Sequence, residues 1–92
     1  MVKVKFFASF REAVGEKGVE VKSAENIEIL LEKLVEQFGE KLEHQFYEQK
    51  SGELRDSVNI LVNGRGINLL EGLETPLKDN DTVAIFPPVG GG

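Results

Sequence analysis

Thr82-Val83-Ala84-Ile85-Phe86-Pro87-Pro88-Val89-Gly90-Gly91-Gly92 is the stretch whose reading decides the rest of the chain. Thr82 to Phe86 is dense in β-branched and aromatic residues and reads as a strand. Pro87-Pro88 stops it, because neither ring nitrogen carries a hydrogen for a ladder and the chain must leave the sheet extended. A strand so late in the sequence needs an earlier partner. Val2 to Ala8 supplies one, with Val2, Val4 and Phe6 on one side and Lys3, Lys5 and Phe7 on the other. The chain between these segments is long enough for a crossover, so the first and last strands are expected to pair in parallel at the centre of the sheet.

Working outward, Phe10 to Val14 predicts a short helical turn closing at Gly15, and Gly18, Val19 and Val21 open a second alternating run that completes a hairpin. Ile27, Leu30, Leu31, Leu34, Val35 and Phe38 recur on one helical face. Ser23 or Asn26 is placed to cap this helix and Gly39 to end it. Leu42 and Phe46 predict a short second helix within Glu40 to Gln49, running into a polar loop at Lys50 to Glu53. Val58, Ile60 and Val62 alternate as a strand, Asn63-Gly64 suits a tight hairpin turn, and Ile67 is expected to start the return strand. An irregular stretch from Leu70 to Pro76 and a turn over Lys78-Asp79-Asn80-Asp81 lead into the last strand. This order predicts an α+β domain of the β-grasp type over residues 1–88, a mixed sheet with one main helix on one face. Residues 89–92 are left as a flexible glycine tail.

With 92 residues the chain has room for one core, and with no cysteine it has no disulfide, thiol nucleophile, thiolate zinc site or CxxC redox chemistry. No stretch approaches the roughly 20 apolar residues that span a bilayer, and Met1 to Lys5 is no signal core, so a cytoplasmic protein without a membrane partner is expected. A net charge of -5 argues against nucleic acid and favours a partner with a basic surface. His44 has no second histidine or cysteine near it and reads as a solvated helix residue. The glutamates of the long helix read as a solvated face. Asn63-Gly64-Arg65-Gly66 looks like a phosphate loop only until one notes that no helix pattern follows it; it is a hairpin.

Three consecutive glycines pack poorly, and taken alone such a run reads as a frayed end. Their position directly after a core strand and a Pro-Pro stop changes that reading. From Val89 to Gly92 the tail reaches about 13 Å when extended. Without side chains on its last three residues it can thread a channel too narrow for any other sequence and present a carboxylate at the far end. A carboxylate resists nucleophiles until it is converted to a mixed anhydride with phosphate. The chain has neither phosphate loop nor metal-ligand cluster, so the nucleotide and metal, ATP and magnesium, belong to an activating enzyme; no cofactor of its own and no catalysis by this chain are expected.

At these residues the sequence resembles the MoaD-like sulfur carriers, β-grasp relatives of ubiquitin. The resemblance runs over essentially the whole length. It rests on Val4-Lys5-Phe6-Phe7-Ala8 with Arg11-Glu12 and Gly15, and on the ending Val83 to Gly92. It implies that a MoeB-like, ATP-dependent enzyme adenylates the carboxylate of Gly92, and that sulfur from a sulfurtransferase persulfide replaces AMP to give a thiocarboxylate. In the family this group enters the MoaE-like large subunit of molybdopterin synthase and supplies the dithiolene sulfur, the catalytic residues being the partner's. By the same carry-over Gly90, Gly91 and Gly92 are the inserted tail, with Gly92 the modified residue. Phe7, Phe86, Pro87, Pro88 and Val89 form the partner interface, Phe7 and Phe86 looking outward. Asp79-Asn80-Asp81 stands where the family often has Asp-Gly-Asp; asparagine also tolerates the left-handed geometry of such a turn. Gly90 fills the variable position before the final pair, which leaves other acceptors open: lysines of target proteins, thiazole or transfer RNA.

Overall fold

Alternation of period two and apolar spacing of period three to four resolve into β1 (Val2–Phe6), α1 (Ser9–Val14), β2 (Gly18–Val21), α2 (Ile27–Phe38), α3 (Glu40–Phe46), β3 (Asn59–Val62), β4 (Arg65–Gly66) and β5 (Thr82–Phe86). The structure, a computed structural model, describes residues 1–87. The strands form one sheet in the order β2-β1-β5-β3-β4. β1 and β5 pair in parallel, Val4 opposite Val83 and Phe6 opposite Ile85. β2 and β3 flank this pair antiparallel, as the hairpin and turn chemistry predict. The result is a mixed β-grasp sheet.

The face of the sheet that looks toward α2 carries Val2, Val4, Phe6, Val21, Ile60, Val62, Val83 and Ile85, all buried, against Ile27, Leu30, Leu31 and Leu34 of the helix. Each such fully buried aliphatic or aromatic side chain contributes about 1.5–3 kcal/mol of transfer free energy. α2 begins where Asn26 Oδ1 accepts a hydrogen bond from the Ile29 amide at 2.9 Å, which settles the cap on Asn26 rather than Ser23. It ends at Gly39, φ 86°, from which α3 starts in a new direction. Leu42 and Phe46 close the core beneath α1, with Phe46 and Phe10 ring centroids 5.5 Å apart.

Two boundaries differ from expectation. The first strand stops at Phe6, and Phe7 to Phe10 form a turn closed by the Phe10 amide on the Phe7 carbonyl at 3.1 Å. The return strand does not start at Ile67: β4 is only Arg65–Gly66, and Ile67–Leu69 is a 3-10 turn followed by another over Gly72–Glu74. A strand would place Ile67 and Leu69 on the same face, yet core remains only for Ile67, and Leu69 is 80 % exposed. The turn lets Ile67 enter the core alone.

Candidate functional site

Parallel pairing brings the C-terminal ends of two strands to the same end of the sheet, and here it brings Phe7, just past β1, beside Phe86, the last residue of β5. The Phe7 amide donates to the Ile85 carbonyl at 3.2 Å, holding the two segments together beyond the ladder. Their rings stack with centroids 4.4 Å apart and an interplanar angle of 11°. Both are half-buried, so the expected outward aromatics are present but shield one face of each other. The Arg11 guanidinium lies 5.8 Å from the Phe7 ring centroid, and its Nε donates to the Phe6 carbonyl at 3.3 Å. Ala8 completes the arrangement with φ 51° and ψ -123°, a conformation natural to glycine, at the first corner of the Phe7–Phe10 turn. Strain of this kind persists where the surroundings over-determine it.

β5 lies at the centre of the sheet with β1 and β3 on either side, so Phe86 ends a central strand and not an edge strand. Pro87 ends the ladder, and its carbonyl accepts from Asn59 Nδ2 at 3.3 Å, Asn59 being paired with Phe86 across the sheet. The expected contacts of Pro88 and Val89 and the inserted Gly90, Gly91 and Gly92 lie outside the described residues. Cross-strand register adds residues that the sequence motifs do not single out. Leu61 is paired with Ala84, which puts both on the face that bears Phe86, turned away from α2. Their position was legible, because Ile60 and Val62 inward forces Leu61 outward. Arg11 was legible only as a family marker, and nothing in the spacing foretold its place over Phe7.

Charge is divided between the two sides of the sheet. On the outer face Lys3 and Lys5 are paired with Thr82 and Ala84, and Arg11 caps the aromatic stack. Glu20, paired with Lys3, is the carboxylate that register sets among them. On the helix side, an open groove of about 990 Å³ is lined by Glu28, Glu32, Glu43, Glu48, Glu53 and Asp56 around Tyr47. Partial burial pushes the Tyr47 phenol up, and Glu32, Glu28 and Glu43 push it further. His44 is exposed on this side, and its carbonyl accepts from Arg55 Nε at 3.0 Å. Among the described residues no three His, Cys, Asp or Glu side chains converge as a metal site. Among the same residues no helix is long and apolar enough to cross a membrane. The Asn63-Gly64 segment is the predicted hairpin turn, with φ 50° and 86°.

The sequence model of the ThiS family matches residues 4–92. Small archaeal modifier protein 3 of Haloferax volcanii is 38% identical over 93 residues, covering 99% of this chain and 98% of the relative. The solution structure of small archaeal modifier protein 1 from Methanosarcina acetivorans superposes with a TM-score of 0.89 at 42% identity, over 99% of this chain and 95% of the other. A putative molybdopterin converting factor, subunit 1, from Pyrococcus furiosus gives a TM-score of 0.68 at 33% identity, over 96% and 97% of the two chains.

Proposed function

The chain belongs to the ThiS family of small ubiquitin-like β-grasp proteins, sulfur carriers and modifiers, and from that premise we propose that it carries sulfur as a thiocarboxylate on Gly92. The sulfur goes to a dithiolene, the chain acting as the small subunit of a molybdopterin synthase. The resemblance to the molybdopterin converting factor subunit supports this acceptor. The observation that carries the reading is the stacked Phe7–Phe86 pair at the end of a central strand whose next residues are Pro-Pro and the glycine run. An apolar, rigid surface beside the tail's point of departure lets a partner grip the globule while the tail enters its active site.

The chemistry needs nothing from the globule except that grip. A carboxylate oxygen of Gly92 attacks the α-phosphorus of ATP in the activating enzyme, pyrophosphate leaves, and an acyl-adenylate remains. The terminal sulfur of a persulfide then attacks the acyl carbon and AMP departs. A second thiol attacks the acyl disulfide so formed, releasing the thiocarboxylate and oxidising the donor to a disulfide. The side-chain-free tail matters because each step happens inside another protein.

ATP–pyrophosphate exchange catalysed by the activating enzyme encoded in the same genome tests the reading. Removal of Gly92 should abolish exchange. Phe7→Ala should raise KM about tenfold with little change in kcat, since the ring grips the partner and does not react. Exchange that survives loss of Gly92 would overturn the proposal. Two of the relatives named above are small archaeal modifier proteins, and this favours a second reading, in which the same activated carboxylate is joined to lysine amines of target proteins. A ladder of high-mass adducts on denaturing immunoblots, lost with Gly92, belongs to that reading.

A further inference from the structure

The net charge of -5 favours a partner with a basic surface, and the fold decides where such a partner can sit. The groove of about 990 Å³ between α2, α3 and the loop that follows α3 has an apolar floor. Val35, Tyr47, Leu54 and Leu73 are half-buried, packed against the core on one side and lining the groove on the other. The loop holds its own shape: Tyr47 and Leu54 form an antiparallel bridge, the Glu48 amide donates to the Glu53 carbonyl at 2.8 Å, and the Arg55 amide donates to the Phe46 carbonyl at 2.7 Å. Around this floor stand the exposed carboxylates of Glu28, Glu32, Glu43, Glu48, Glu53 and Asp56. No lysine or arginine lines the groove, and the ion pair formed among the described residues, Met1 amino group to Asp79, involves none of these carboxylates. Neighbouring Arg55 turns its Nε to the His44 carbonyl. Burial, followed by the field of Glu32, Glu28 and Glu43, holds the proton on the Tyr47 phenol, which is thereby kept as a hydrogen-bond donor.

We propose that this groove docks an extended basic segment of a partner protein, with lysines and arginines facing the carboxylate rim and one apolar side chain seated on Tyr47, Leu54 and Leu73. Three observations choose this occupant. The carboxylates are spread along the groove and, among the described residues, no three acidic or histidine side chains converge as a metal site, so their match is a row of cations and not one ion. The volume lies at the upper end of the roughly 300–1,000 Å³ of ligand sites, which is room for several side chains. An apolar centre inside a polar rim is the anatomy of a protein interface, and a polyamine would leave that centre unused. The rim itself repels nucleic acid and anionic lipid. No lining residue belongs to the sheet or to the Phe7–Phe10 turn, so a partner seated here leaves the Phe7–Phe86 stack uncovered. Such docking is independent of what Gly92 carries.

Fluorescence anisotropy with the full chain and a short labelled peptide, in which lysines and arginines flank one leucine, provides the test. Glu28→Gln/Glu32→Gln removes two rim charges, and Glu16→Gln/Glu20→Gln, outside the groove, is its control of equal charge. Leu73→Ala trims the floor. Circular dichroism and urea midpoints establish that each variant folds, and the exposed rim pair serves on its own if Leu73→Ala does not. At low salt the rim variant should weaken binding about tenfold and the control less than about twofold. Replacing the peptide's leucine by serine should weaken it about tenfold at low and high salt alike, and Leu73→Ala about threefold. Amide resonances of Val35, Tyr47, Leu54 and Leu73 should shift on titration. Equal weakening by the rim and control pairs, or a serine peptide that binds as well as the leucine peptide, means that net charge alone attracts the peptide and overturns the proposal. Absence of binding at low salt overturns it too. So does displacement by spermidine as effective as that by unlabelled peptide, which would make the groove a polyamine site.

Discussion

Ala8 shows how much a single residue reports. It holds φ 51° and ψ -123° directly after Phe7, at a corner where type II′ turns ordinarily place glycine. Strain of about 1–3 kcal/mol is typical of such conformations. Ala8→Gly relieves it at the expense of some unfolded-state entropy, so urea denaturation should show a net gain of about 1 kcal/mol; a loss would mean the strain is absent. Asp81 makes a pH-dependent contribution. The Lys78 amide and the Asn63 side chain donate to its carboxylate, at 2.8 Å and 3.0 Å, and hold its pKa below the usual value. The folded state thus prefers the ionised form. That stabilisation is complete above the unfolded pKa of about 4 and is lost as pH falls through the lower folded value. Asp81→Asn should therefore lower the urea midpoint at neutral pH and show a smaller further fall on acidification than the unaltered chain. Equal acid sensitivity of the two would contradict the assignment. Next to Asp81, Asn80 takes φ 72° in the turn where glycine is the more usual occupant, as its tolerance of left-handed geometry leads one to expect.

At the scale of elements, the sequence was most informative where periodicity and a cap agreed. α2 spans Ile27–Phe38, bounded by Asn26 and Gly39 as its apolar face predicts. Asn26→Ala removes an acceptor from the Ile29 amide, and thermal or urea unfolding should register a loss of about 1 kcal/mol. No loss would shift the cap to Ser23, whose carbonyl and hydroxyl instead face Lys33 Nζ. β5 was equally legible, because alternation and the Pro-Pro stop are local signals, and β1 was legible except at its end, where the strand stops at Phe6. The segment after Gly66 was not. Ile67 reads as the start of a return strand, and only the filled core explains why it turns in alone while Leu69 remains in solvent. Such information is tertiary. It exists once α2 and the sheet have met, and no window of sequence contains it.

For the whole molecule, composition supplied a sum and the fold supplied a distribution. A charge of -5 is spread so that cations accompany the aromatic stack on one side and carboxylates line a groove on the other. Parallel pairing of β1 with β5 accounts for the candidate site more than any one side chain does. It brings Phe7 and Arg11, from the start of the chain, beside Phe86, near its end, and it places them at the end of the central strands of the sheet. In the function proposed above, the globule serves as a handle for its last residues. Intact-mass spectrometry of the protein isolated from its own cells tests this most directly, with the C-terminal fragment resolved so that methionine oxidation, nearly equal in mass, is told apart. A population heavier by about 16 Da on the fragment containing Gly92 is the predicted result, one oxygen having been exchanged for sulfur at the activated acyl group. A Gly92 carboxylate that stays unmodified in cells actively making the acceptor, and that never yields an acyl-adenylate with ATP and the activating enzyme, would contradict the account.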